Sequence, residues 1–212
     1  MEFEKLLKIV GAEPVFESSL LLAGDVQPEY IRLQLDRWVK AEKIHQLRRG
    51  VYMLAAPYQK QKPHPILVAN RLQKPSYVSL QSALSFYGMI PEIVNETTSV
   101  TTVRNERLNT HLGVFEFRYI NKNYFWGYHL LDLGGQQAFV ATPEKAILDL
   151  IYLQPGGDDP AFISELRLQN LDNLNIEKLR SQGKLFDKPK IHRAIQIIEL
   201  FVEEEYQTYE EL

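Results

Sequence analysis

Between residues 25 and 54 the hydrophobic period of the chain changes, and no other stretch limits the possible folds as much. From Pro28 onward the apolar residues Ile31, Leu35, Trp38 and Val39 recur at helical spacing, with Glu42 on the same side. Beyond Ile44 and Leu47 the pattern becomes that of a strand. It passes through Arg48-Arg49-Gly50 into the β-branched and aromatic run Val51-Tyr52-Met53-Leu54. Asp25 stands where its carboxylate would accept from the orphan N–H groups at the helix start. Pro28 suits the first turn, where no N–H is missed. Gly50 supplies the permissive backbone of a hairpin tip, so Arg48 and Arg49 are expected at that tip. A helix followed by such a hairpin has the order of the recognition helix and wing of a winged helix-turn-helix.

The residues before it complete that order. Phe3, Leu6, Leu7 and Val10 form a helical stripe ended by Gly11, Pro14-Val15-Phe16 is extended, and Glu17 to Ala23 predicts a short second helix. The expected core is Phe3, Leu6, Val15, Phe16, Leu20, Leu21, Leu35, Trp38, Val51 and Tyr52. Glu29, Leu33, Asp36, Arg37 and Lys40 lie opposite the core stripe of the third helix, with Tyr30 and Arg32 at its margins. In a DNA-binding reading, Tyr30, Arg32, Gln34, Arg37 and Lys40 approach bases or phosphates and Arg48 and Arg49 meet the backbone. A solvated helix in a protein-binding winged domain has the same pattern, since two acids face outward beside the bases.

Charge is distributed unevenly. The net formal charge of the 212 residues is −3, but residues 1–60 carry 9 basic and 8 acidic side chains and residues 61–155 carry 8 and 7. Residues 156–212 carry 7 and 12, so the acidity lies in the tail and the front is not repelled from DNA. Cysteine is absent, which removes disulfides, thiolate metal sites and a cysteine nucleophile. The uncharged run Ser18 to Gly24 is too short to span a bilayer and has no basic leader, which leads to the expectation of a cytoplasmic protein without membrane contact.

Residues 55–65 are polar and rich in proline, so a semi-extended linker is expected, with a boundary near residue 60 dividing 1–60 from 61–212. After it, helices are expected at Ile66–Gln73 and Leu80–Tyr87, the latter capped by Ser79 and stopped by Gly88. Strands are expected at 76–79, 98–103, 114–120, 124–133 and 138–140. Thr142 caps a further helix with Pro143 at its first position, Glu144 near its positive end and Ile147, Leu150 and Ile151 as its buried stripe. Helices at 159–167, 176–182 and 190–205 complete an α+β domain with a mostly antiparallel sheet.

Three segments resemble AbiE-type (AbiEi-like) antitoxins. They are the hairpin Leu47-Arg48-Arg49-Gly50-Val51-Tyr52, the segment from Tyr77 to Gly88, and Val140-Ala141-Thr142-Pro143-Glu144-Lys145-Ala146-Ile147-Leu148-Asp149-Leu150. The resemblance runs to about residue 155. At Ala41-Glu42-Lys43-Ile44 the family often has a glycine entering the wing, and this chain has none. The resemblance implies a winged-helix transcriptional regulator that represses its own promoter on double-stranded DNA. It also implies a second domain that counters a nucleotidyltransferase-like toxin.

The second-domain candidates are Ser79, Ser82, Tyr87, Arg104, Arg107, Glu144, Lys145 and Asp149. Ser79, Ser82 and Tyr87 read either as a polar face or as a cap, a helix surface and a core tyrosine. Asp149 lies between Leu148 and Leu150, so it either pairs with Arg104, Arg107 or Lys145 or marks a functional groove. Phe115, Phe117, Tyr119, Tyr124, Phe125, Trp126 and Tyr128 read as strand core, with one or two left as an exposed platform.

Catalytic motifs are missing from the sequence. It has no G-x-S-x-G, no G-x-x-x-x-G-K and no H-E-x-x-H, and its five histidines have no ligand spacing. Gly156-Gly157-Asp158-Asp159 lacks the D-x-D that follows it in nucleotidyltransferases and reads as a turn and cap. A non-enzymatic regulator without metal or cofactor is therefore expected. The alternatives are a winged-helix regulator whose second domain binds a ligand or dimerises, and a metal-dependent nuclease.

Overall fold

The computed structural model describes residues 1–22 and 27–210, with backbone only for 204–210. It is an α+β protein with two sheets. Helix α1 (Phe3–Val10) buries Leu6 and Val10, strand β1 (Val15–Glu17) follows, and a 3-10 turn spans Ser18–Leu22. Helix α2 (Pro28–Lys40) starts with Pro28 in its first turn and buries Ile31, Leu35 and Trp38. The capping residue observed is Gln27, whose side chain makes no cap bond; Asp25, the expected cap, lies outside the described residues. The helix ends through a bond from Lys43 N–H to Trp38 C=O at 2.9 Å, with Glu42 at φ 54°. That is the left-handed closing position glycine usually takes, filled here by a glutamate.

Strands β2 (Ile44–Arg48) and β3 (Val51–Leu54) form a hairpin around Gly50, whose φ is 83°. β1 joins them in an antiparallel sheet of order β1-β3-β2. Leu6, Val10, Phe16, Leu21, Ile31, Leu35, Trp38, Ile44, Tyr52 and Leu54 make one apolar core. Leu20 is not part of it: in the tight 3-10 turn its neighbour Leu21 takes the inward position and Leu20 stays 46% exposed.

The second sheet has the order β6-β7-β5-β4-β9-β8 and is mixed. Its strands are β4 (Ser76–Val78), β5 (Glu96–Thr101), β6 (Glu106–Thr110), β7 (Gly113–Tyr119), β8 (Tyr128–Asp132) and β9 (Gln137–Ala141). Three of its five pairings are antiparallel, while β5–β7 and β4–β9 are parallel. β6 was not expected from sequence, because Glu-Arg-Leu-Asn-Thr has little strand propensity and is held by cross-strand pairing such as Arg107 opposite Glu116. The strand expected from Tyr124 begins at Tyr128; before it, Lys122–Tyr124 is a 3-10 turn whose entry is capped by Asn121.

Helices α3 (Pro65–Leu72) and α4 (Leu80–Phe86) precede β5, and α5 (Pro143–Leu153) follows β9. After these come α6 (Pro160–Glu165), α7 (Ile176–Phe186) and α8 (Pro189–Glu210). Every residue of α5 from Glu144 to Ile151 is buried, so it has no solvent face and is not the one-sided helix its stripe suggested. α4, α7 and α8 surround it, and α7 approaches α8 so closely at Gly183 that an added Cβ would lie 2.2 Å from Ile195 Cδ1.

The two halves share packing. β3 is buried at all four positions, because alternate residues face opposite ways. Tyr52 and Leu54 enter the N-terminal core, while Val51 and Met53 join Val15 and Leu47 in the apolar cluster of the second half. Each such burial contributes roughly 1.5–3 kcal/mol, more than an exposed ion pair at the rim, which contributes about 0–1 kcal/mol. The rim carries Arg71–Glu13 at 3.2 Å and Lys74–Glu17. The segment between the halves is not a free linker: Ala56–Tyr58 is a 3-10 turn, and Gln136 bonds both His64 N–H and Lys62 C=O at 2.8 Å. The boundary near residue 60 therefore lies between chain segments whose cores touch.

One cooperative thermal transition is expected for the full chain by calorimetry. A fragment starting at His64 uncovers the surface under Val51 and Met53 and should melt at a lower temperature. A fragment melting no lower than the full chain would show that the shared face contributes nothing.

Candidate functional site

The outer face of α2 and the β2–β3 hairpin stand side by side in the N-terminal half. Arg32, Arg37 and Lys40 are exposed on the helix, Tyr30 and Leu33 are each 48% exposed, and Gln34 is half-buried at the margin. The Tyr30 hydroxyl accepts from the N-terminal ammonium at 3.1 Å. Glu29 and Asp36 share this face, so its charge is mixed.

The two hairpin arginines part company. Arg49 is exposed at the turn and makes no ion pair among the described residues. Arg48, expected beside it at the tip, instead folds back and donates to the Leu72 carbonyl and to Glu106. The cause is a bulge at Leu47: Gln46 pairs with Tyr52 but Arg48 pairs with Val51. Skipping one residue turns both Leu47 and Arg48 toward the second half. His45, opposite Met53, faces the same way and meets the His111 ring at 4.8 Å. Arg48 and Arg49 line, with Arg71, Lys74 and Arg104, a cleft of about 420 Å³ between the halves. Four of these five cations are paired with Glu13, Glu17 or Glu106.

Of the eight candidates in the second half, the structure brings three together. The Asp149 carboxylate accepts from the Ser79 hydroxyl at 2.8 Å, from the Tyr77 hydroxyl at 2.9 Å and from the Lys145 ammonium. All four side chains are fully buried. Ser79 therefore does not cap α4 with its side chain, as expected, but is spent on Asp149. The Lys145 ammonium also lies 4.9 Å from the Trp126 ring centre and 5.1 Å from that of Phe186. Gly127 closes over its stem, where a Cβ would come within 2.9 Å of Lys145 Cγ. Burial pushes the Asp149 carboxyl up and the Lys145 ammonium down, and their mutual attraction opposes both shifts. Burial and the neighbouring Asp149 raise the Tyr77 hydroxyl. With both carboxylate oxygens occupied, this centre joins α5 to β4 and leaves no atom facing solvent.

The remaining five candidates lie elsewhere. Arg104 pairs with Glu106 at 3.2 Å and Arg107 with Glu96 at 2.7 Å, so neither serves Asp149. Ser82 donates to Glu96 C=O at 2.9 Å and accepts from Thr98 N–H at 2.8 Å, tying α4 to β5. Tyr87 donates to Ala141 C=O at 3.0 Å; burial, with Glu144 adding, pushes its hydroxyl up to about 12. Burial acts to raise Glu144, but hydrogen bonds led by Lys178 at 2.8 Å outweigh it and hold the carboxyl below its usual range. Ser79, Ser82 and Tyr87 thus form no common polar face. Sequence reasoning missed Tyr77, although it stands two residues before Ser79 in an extended segment formed by β4 and the cap residue after it, which puts both on one face.

Among the described residues no three His, Asp or Glu side chains gather to hold a metal ion, and no helix is long and apolar enough to cross a membrane. Comparison with known proteins gives no matching family model and no match among curated proteins.

Asp149→Ala leaves a buried ammonium without its anion and should cost about 3–5 kcal/mol in denaturant unfolding. The double replacement Lys145→Met with Asp149→Leu removes both charges and should cost less than the single change. A double variant as unstable as Asp149→Ala would mean that desolvated charge is not what the pairing relieves.

Proposed function

We propose that this chain is a DNA-binding transcriptional regulator. Residues 1–60 form its winged helix-turn-helix, and residues 61–212 are the effector half of an antitoxin that represses its own promoter. One observation carries the DNA reading: the exposed face of α2, with Tyr30, Arg32, Arg37 and Lys40, lies beside a hairpin whose tip exposes Arg49. A helix of that kind enters a major groove, and a cation on the adjacent hairpin reaches the flanking phosphates. The element order supports the same reading, with α1, a 3-10 turn and α2 packed on a three-stranded sheet. For the antitoxin role the support is the resemblance at Tyr77–Gly88 and Val140–Leu150. The first segment supplies Tyr77 and Ser79 to the buried centre and the second supplies Lys145 and Asp149. The partner would be a nucleotidyltransferase-like toxin.

Binding is tested on duplex DNA from upstream of the chain's own reading frame, by anisotropy across a salt series. Arg49→Ala should weaken binding and make the salt slope shallower by about 0.9 per lost phosphate contact. Arg37→Ala or Tyr30→Ala should reduce preference between sequences. Arg48→Ala should lower the melting temperature with little effect on the slope, because Arg48 is tied to Leu72 and Glu106. Unchanged affinity and slope in a combined Arg32, Arg37, Lys40 and Arg49 alanine variant would reject the DNA role. Growth rescue on co-expression with an adjacent nucleotidyltransferase-like gene tests the antitoxin role separately.

A further inference from the structure

A cavity of about 410 Å³ opens where α3 passes over the edge of the second sheet. Its wall is one face of the β8–β9 pair. Leu130 and Phe139 are direct cross-strand partners there, 49% and 42% exposed, and Tyr128 sits two residues before Leu130 on the same side. The Tyr128 ring meets Phe139 edge-on at 5.6 Å and lies tilted to Phe125 at 5.3 Å, so three mutually inclined rings contribute to an apolar wall. Asn70 of α3 exchanges hydrogen bonds with both backbone groups of Phe139 and fixes the opposite wall. Arg71 and Lys74 provide the cations of the lining. The volume falls in the range of small-molecule sites, which are mostly apolar with a few placed polar groups.

We propose that this cavity binds a small amphipathic carboxylate, with its apolar body against Phe125, Tyr128 and Phe139 and its anionic group toward Arg71 and Lys74. Both cations already hold carboxylates, Glu13 and Glu17 of the N-terminal half. A ligand carboxylate replaces them like for like. Its binding therefore competes with the ion pairs on the rim between the halves. The proposal stands independently of DNA binding.

Calorimetric titration of the full-length protein with 2-naphthoate, and with 2-naphthamide as its neutral counterpart, tests it. The acid should bind saturably, and the amide about tenfold or more weakly. Arg71→Gln with Lys74→Gln should abolish most of that difference, and Phe139→Ser should weaken both compounds. Glu13→Gln with Glu17→Gln should tighten the acid about threefold, as release of exposed ion pairs allows. Absence of saturable binding, or equal affinity of acid and amide for the unaltered protein, would overturn the proposal without recourse to any variant. Unchanged affinity in the Glu13 and Glu17 variant would overturn the competition.

Discussion

Placing one carboxylate and one ammonium out of reach of water costs several kcal/mol per ion before any attraction is counted. The second half of the protein is arranged around meeting that cost at Asp149 and Lys145. The carboxylate takes an ammonium and two hydroxyls, and the ammonium lies among the Tyr77, Trp126 and Phe186 rings. These partners come from β4, from the turn after it, from the segment before β8 and from α7. Satisfying one buried pair thus sets where four parts of the chain lie around α5. It also explains why Gly127 is tightly constrained, since its backbone lies against the lysine stem.

The second constraint is β3. A strand with apolar residues on both faces has to be covered twice, and here each half supplies one cover. Val51 and Met53 bind the N-terminal half to the second through the hydrophobic effect, and the surrounding ion pairs add specificity of placement more than stability. Arg48 follows from the same geometry. Once the bulge turns it toward the second half, its guanidinium has a carbonyl and a carboxylate to satisfy it, whereas Arg49 stays exposed and makes no ion pair among the described residues.

The exposed surfaces proposed to bind and the buried centres therefore use separate residues. α2 and Arg49 present the proposed DNA face, while Ser79, Lys145 and Asp149 are enclosed. Arg71 and Lys74 occupy the position between, bordering both the interdomain cleft and the cavity beside β8 and β9. Beside that rim the halves meet through an apolar face, where Val15, Leu47, Val51 and Met53 pack into the cluster of the second half.

Local chemistry made much of this legible in advance. Pro28 and the Thr142-Pro143 pair mark helix starts, Gly50 marks the hairpin, and Asp149 among leucines calls for either a partner or a functional groove, because each depends on residues within a few positions. The run Val51-Tyr52-Met53-Leu54 was legible as a strand, but that both its faces are buried is seen only in the folded chain. The folded chain decided which cation answers Asp149, and the one it chose lies a single turn away on the same helix. Lys145 was one of three candidates, and Arg104 and Arg107 were drawn to Glu106 and Glu96 on a distant part of the sheet. It also decided the direction of Arg48, the parallel pairing of β5 with β7, and the existence of β6, whose residues have little strand preference of their own. For Arg48 the deciding partners, Leu72 and Glu106, lie far away in sequence, and only the folded chain brings them within reach.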